Sequence, residues 1–163
     1  VQLRKLEQIS AARRRNLEYL TDAILPLSDG LVPPYEAPGT CRTWLNYICQ
    51  YYPEKMQGVS RDRFVEALNA EGLPATTGRA GYLPVYWNPL YEERNMWAEG
   101  IPFDAPYVKR KVDYSRGICP QAEAIWQRTV GLPTFPHPCD KALLDQCIGA
   151  IDKVIRNLDR LKG

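Results

Sequence analysis

Leu144, Ile148, Ile151, Ile155 and Leu158 recur at alternating steps of four and three residues. That spacing places all five on one face of a helix. Such a stripe has to be buried against a second layer of structure, so the chain is committed to a packed core. Asp140 stands where an N-cap side chain would open the helix, which the pattern predicts over Asp140–Leu161. The 163 residues suit a single domain, and a chain of this size buries roughly 70% of its unfolded surface.

Other elements follow from the same reasoning. Leu3, Leu6, Leu17, Leu20 and Ile24 share a helical face, and Pro26 stops that helix. Its apolar face begins at the first residues with no N-cap before them. This reads as the middle of a helix cut from something longer and not as a signal peptide. Thr43–Tyr52 is rich in aromatic and β-branched residues and closes on Pro53, which favours a strand over Trp44–Tyr52. The helical spacing of Trp44, Ile48 and Tyr52 keeps a helix open as the alternative. Ser60 is a good N-cap for a helix through Glu71 with Phe64, Val65, Ala67 and Leu68 as its stripe, and Gly72 suits the residue just beyond its end. Leu73–Arg79 reads as a second strand. Cys119-Pro120 starts a further helix with proline in its first turn, and its apolar residues are Ala122, Ile125 and Trp126. Residues 131–136 read as a short extended segment. The resulting fold class is α/β, with a small, mostly antiparallel sheet packed by helices.

Between these elements, residues 80–118 hold Tyr82, Tyr86, Trp87, Tyr91, Trp97, Phe103 and Tyr107, interrupted by Pro84, Pro89, Pro102 and Pro106. A long irregular segment inside a compact domain is commonly a functional or interface element. Its aromatic rings offer rigid, amphipathic surface to sugars, cofactors or protein partners. The plainer alternative is that Trp87, Tyr91 and Trp97 pack the loop onto the sheet.

Several chemistries find no support in the residues. A net charge of +2 is too small for a partner held by phosphate contacts, so no nucleic acid is expected. No apolar run reaches the ~18–20 residues that span a bilayer. The runs Arg13-Arg14-Arg15 and Lys109-Arg110-Lys111 read as solvated faces. Five cysteines, Cys41, Cys49, Cys119, Cys139 and Cys147, at irregular spacing suggest reduced thiols and a cytoplasmic protein. His137, the one histidine, with Cys139 and Cys147 lacks the paired spacing of a metal site. There is no phosphate-binding glycine loop, GxSxG elbow or HExxH helix. A small stand-alone enzyme built on Cys119 or His137 would lack a paired base. Carboxylates such as Glu92, Glu93 and Asp104 show no spacing that marks an acid/base pair.

An ordered set of motifs carries a resemblance. Gln2-Leu3-Arg4-Lys5-Leu6 is followed by Arg15-Asn16-Leu17-Glu18-Tyr19-Leu20, then by the Trp44–Tyr52 strand. Arg61-Asp62-Arg63-Phe64 opens a helix that closes on Glu71-Gly72-Leu73-Pro74. An aromatic loop runs from Tyr82 to Tyr91, then come Cys119-Pro120-Gln121-Ala122-Glu123, Leu132-Pro133 and the final amphipathic helix. In this order the chain resembles the C-terminal small domain of the DegT/StrS family, pyridoxal-phosphate-dependent sugar and aminocyclitol aminotransferases of fold type I. The Cys-Pro-x-Ala-Glu stretch is the most specific of these motifs.

The resemblance implies residues 1–25 as a connecting helix from a large domain and 26–163 as the small domain. It implies a parent enzyme that moves an amino group from glutamate or glutamine to a keto-sugar or keto-cyclitol. The cofactor, pyridoxal phosphate, would be bound mainly by the large domain. A homodimer and no membrane association are the expected assembly. Tyr82 and Tyr86 are the expected substrate-binding residues. None of Lys5, Lys55, Lys109, Lys111, Lys141, Lys153 and Lys162 lies in a motif like that of the cofactor lysine, so no catalytic, cofactor-binding or metal residue is expected in this chain. The competing expectation is a non-catalytic interaction domain that keeps the same fold.

Overall fold

The computed structural model describes residues 3–77, 83–94, 96–97, 100–135 and 141–162. The chain divides into two compact units, Val1–Thr77 with Arg128–Gly163, and Gly78–Gln127.

The first unit is a four-stranded sheet packed by three helices. Helix α1 spans Leu3–Ile24, strand β1 Leu31–Val32, β2 Tyr47–Tyr51, helix α2 Arg61–Ala70 and strand β3 Thr76–Thr77. Within the second unit lie α3, Pro89–Glu92, and α4, Pro120–Gln127. The chain then returns to the first unit as β4, Thr129–Leu132, and α5, Lys141–Arg156. The sheet order is β1-β2-β4-β3 and every neighbouring pair is antiparallel, as the fold class anticipated.

The core assembles on β2, whose alternate residues Tyr47, Cys49 and Tyr51 are buried. Leu17, Leu20 and Ile24 of α1, Phe64 and Leu68 of α2, and Leu144, Ile151 and Val154 of α5 join them in one cluster. The ring of Tyr51 lies 4.9 Å from that of Phe64. At about 25 cal/mol per Å² of apolar area removed from water, burial of this kind dominates the stabilisation of the unit.

Local chemistry explains the boundaries. Ser60 has extended dihedrals and its side chain accepts from the Arg63 amide, so it caps α2. Gly72, at φ +86°, takes the left-handed conformation that ends the helix without a Cβ penalty. Gly131 of β4 sits opposite Thr76, where a Cβ would come within 2.5 Å of the threonine hydroxyl. Pro133 follows the last residue of β4 and brings no amide hydrogen for another rung.

The structure corrects several expectations. The strand expected over Trp44–Tyr52 is confined to Tyr47–Tyr51, because Trp44 turns the chain at φ 54°. The long final helix stops at Arg156. Asn157 leaves helical dihedrals and spends its side-chain amide on the Lys153 carbonyl at 2.7 Å, and a 3-10 turn carries Leu158–Leu161. The expected face of α1 is buried only in its C-terminal half, with Leu3 84% and Leu6 56% exposed. In α4, Ala122 and Ile125 face outward and no residue is buried. Strand β1 arises within Leu27–Arg42, where Pro33-Pro34 and Pro38-Gly39 suggest an irregular connection. The Arg13–Arg15 run is not simply solvated: Arg13 reaches the Trp44 carbonyl at 3.3 Å, and Arg14 pairs with Glu18 and Glu36. His137, Cys139, Asp140 and Tyr82 lie outside the described residues.

Candidate functional site

Prolines set the start of the aromatic loop. Pro84 leads into a 3-10 turn, Val85–Trp87, and Pro89 begins α3. Asn88 caps α3 by accepting from the Leu90 amide at 3.1 Å. These turns fix the backbone on both sides of Tyr86 and Trp87. Trp87 is buried, Tyr86 half-buried, and their rings meet edge to face at 6.4 Å and 87°.

The Cys-Pro-x-Ala-Glu motif supplies the partner of this pair. Pro120 opens α4, and the Glu123 amide donates to the Cys119 carbonyl at 3.1 Å, closing the first turn. That turn aims the Glu123 carboxylate at the loop. Its Oε1 accepts from the Tyr86 hydroxyl at 2.5 Å and from the Gly117 amide at 2.6 Å. Gly117 presents its amide from φ +96°, a conformation that favours glycine. The hydrogen bond from Tyr86 holds the Glu123 carboxyl below the usual carboxylate range, with the Gly117 amide and Arg116 adding to the effect. Desolvation and the bond to Glu123 push the Tyr86 phenol up to about 12.

A second tie lies beside the first. Arg116 donates to Glu92 of α3 at 3.0 Å while its guanidinium lies 4.8 Å from the Trp87 ring centre. Trp87 packs edge to face on Trp126 of α4 at 5.1 Å. Further along, Tyr91, Phe103 and Tyr114 form a cluster with ring separations of 5.1–5.8 Å. Arg94 forks onto Asp104 and gives a third bond to the Val112 carbonyl at 3.2 Å. Trp87 and Tyr91 therefore pack against rings of their own unit, whereas Trp97 is 63% exposed.

Of the two tyrosines singled out in the sequence, Tyr86 sits in this network and Tyr82 falls outside the described residues. The loop and the motif stand apart in the sequence, and no spacing announces their pairing or ties Glu92, Arg116 and Trp126 to it. All seven lysines are exposed. Lys55, Lys141 and Lys153 are paired with Asp29, Asp145 and Glu71. A lysine that holds an aldehyde cofactor needs a desolvated or otherwise depressed amine, whereas the Lys141 amine is pushed up by its bonds to Asp145 and Tyr19. Among the described residues no cluster of His, Cys, Asp and Glu could hold a metal ion, and no helix is long and apolar enough to cross a membrane.

A model of the DegT/DnrJ/EryC1/StrS aminotransferase family matches residues 1–151. The chain belongs to this family. It is 30% identical to an L-glutamine:2-deoxy-scyllo-inosose aminotransferase of Streptoalloteichus tenebrarius, over 99% of this chain and 37% of the relative. The aminotransferase TlmJ of Streptoalloteichus hindustanus superimposes with a TM-score of 0.67 at 20% identity, over 98% of this chain and 35% of TlmJ. DesV of S. venezuelae gives 0.68 at 20% identity, over 94% of this chain and 33% of DesV. The chain thus shares its fold with these two solved structures and spans about a third of their length.

Proposed function

We propose that this chain is the C-terminal small domain of a pyridoxal-phosphate-dependent transaminase that delivers an amino group from glutamine or glutamate to a keto-cyclitol or keto-sugar. The observation that carries the reading is the family match over residues 1–151, reinforced by a relative named as an L-glutamine:2-deoxy-scyllo-inosose aminotransferase that aligns along 99% of the chain. On this reading α1 through Leu25 connects to a large domain, and residues 26–163 form the small domain. A second copy completes a dimer in the cytoplasm.

When bound, the cofactor would carry the amino group and act as an electron sink. Its covalent lysine and phosphate contacts belong, in this proposal, to the part of the relatives that the chain does not span, which accords with seven exposed lysines. The chain's own contribution is to cover the substrate side. Tyr82 and Tyr86 of the aromatic loop line it, and Pro84 and Pro89 limit the conformational entropy lost on ordering around a ligand.

The test is amino transfer by the full-length protein from L-glutamine to 2-deoxy-scyllo-inosose, followed by mass spectrometry of the aminated product. Formation of that product is expected. Binding without transfer across keto-cyclitols and keto-sugars would instead favour the interaction-domain reading. The 163-residue chain mixed with pyridoxal phosphate should give no stoichiometric, borohydride-trappable adduct. A specific adduct on one lysine would overturn the assignment of the cofactor lysine elsewhere.

A further inference from the structure

We infer that Glu123 is a positioning residue that engages the Tyr86 hydroxyl, so that the aromatic loop offers a cyclic polyol or keto-sugar the ring of Tyr86 and not its hydroxyl hydrogen. The inference rests on the reading of this loop as substrate-facing and adds how the recognition is made.

The geometry leaves the phenol little to offer. It has one hydrogen, and that hydrogen is directed at Glu123 Oε1 across 2.5 Å. For that hydrogen to reach a sugar oxygen instead, a charge-assisted bond, roughly twice as strong as a neutral one, would have to be given up. Glu123 is itself held in place, since the same oxygen accepts from Gly117 at 2.6 Å. Its position in the first turn of α4 favours the negative charge.

What remains presentable is the ring. Its tilt is set at the hydroxyl by Glu123 and at the edge by Trp87, which Trp126 and Arg116 brace in turn. A ring held at both ends is a suitable platform for the C–H face of a six-membered cyclitol or sugar, because aromatic surface covers apolar area with little rotamer entropy to lose. The Glu of the Cys-Pro-x-Ala-Glu motif thereby acquires a role at a distance from any ligand.

The experiment uses the full-length protein with 2-deoxy-scyllo-inosose as probe. Glu123→Ala and Tyr86→Phe are each expected to raise KM for the probe by about tenfold with kcat little changed, the pattern of lost binding common to ground and transition states. The double variant should be no worse than either single one. Glu123→Gln keeps an acceptor for the phenol and should restore most of the loss. In parallel, ring resonances of labelled Tyr86 should shift when the probe is added to the wild type and respond much less in Glu123→Ala. A rise in KM for Tyr86→Phe with none for Glu123→Ala would show that the hydroxyl itself meets the substrate and overturn the inference. Lowered thermal stability with unchanged KM would also overturn it, in favour of packing alone. If the wild type transfers no amino group yet the Tyr86 signals still respond to the probe in a Glu123-dependent way, the catalytic reading falls and the positioning role stands. Absence of any response of Tyr86 to the probe defeats the inference.

Discussion

The hydroxyls of Thr21 and Tyr47 lie 2.8 Å apart, joining α1 to the central strand β2. Thr21 Oγ1 is also 2.7 Å from the Leu17 carbonyl. A carbonyl can only accept, so the threonine hydrogen goes to Leu17 and the phenol donates to Thr21. The two ends of this bond are then unequal. Tyr47→Phe removes a donor and leaves Thr21 satisfied, at a cost of about 0.5–1.5 kcal/mol. Thr21→Val strands the hydroxyl of a tyrosine that is only 1% exposed, and should cost more, up to about 3 kcal/mol. Urea denaturation of both variants checks the order, and the reverse order would mean that the proton is assigned wrongly.

Strand β2 should make the protein sensitive to alkali. Burial pushes the Tyr47, Cys49 and Tyr51 acids upward from ordinary values of 10.0, 9.0 and 10.0. An acid raised in the folded state favours folding below its unfolded value, and that contribution is lost as pH climbs toward the folded one. Stability is therefore expected to fall first above pH 9, where the Cys49 thiol would ionise if unfolded, and more steeply above 10. Cys49→Ala should delay the onset in denaturation midpoints taken across this range.

The acid limb has different owners. Lys141, then Tyr19, hold the Asp145 carboxyl below its ordinary 3.8, and Tyr86 holds Glu123 below 4.5. Groups depressed on folding stabilise above their ordinary values and cease to do so as pH falls below them. The partners are solvated, so salt should shrink the effect. Asp145→Asn should flatten the acid limb at low salt and matter little at 1 M salt. An acid limb equally steep in the variant at low salt would remove Asp145 from the account.

Thiol labelling should separate the cysteines by burial. Cys41 and Cys119 are exposed and Cys49 is buried. A maleimide counted by intact-mass spectrometry is expected to modify Cys41 and Cys119 within minutes and Cys49 only on unfolding. Early labelling of Cys49 would mean that β2 opens locally far below the global transition.

Packing of α5 predicts a steep gradient along one helix. Ile151 is fully buried, whereas Leu143 is 47% exposed. Ile151→Ala should cost about 2–5 kcal/mol, and Ile151→Asp more, because it buries an unpaired charge. Leu143→Gln should stay within about 0.5 kcal/mol. Melting curves that moved equally for Ile151 and Leu143 would contradict the orientation of the helix.

Elements written in local patterns were the legible ones. Ser60 caps α2 and Gly72 ends it because both act on a backbone within a few residues of themselves. The stripe of α5 is likewise contained in one helix. Trp44 could not be read in this way. A bulky residue at φ 54° runs against backbone preference, and it is held by stacking on Tyr47 at 5.4 Å with the Arg42 guanidinium 5.1 Å from its ring. Strand β1 is two residues long and exists through its pairing of Leu31 with Tyr51, so nothing in its own composition announces it. At the site, Tyr86 and the motif around Glu123 were each visible, but the bond between them spans 37 positions, a distance no periodicity covers. Leu3 and Leu6 show the opposite failure: their spacing is regular, yet the described core does not reach them.

Strands β3 and β4 are antiparallel neighbours, with Thr77 opposite Val130, and everything from Gly78 to Gln127 is strung between them. In chain order the second unit is therefore an insertion between two paired strands. Closing a longer loop costs only a logarithm of its length, so the sheet is nearly indifferent to how much the hairpin holds. A chain built on this plan tolerates a longer or shorter stretch between Thr77 and Val130 with little effect on the pairing that anchors its core.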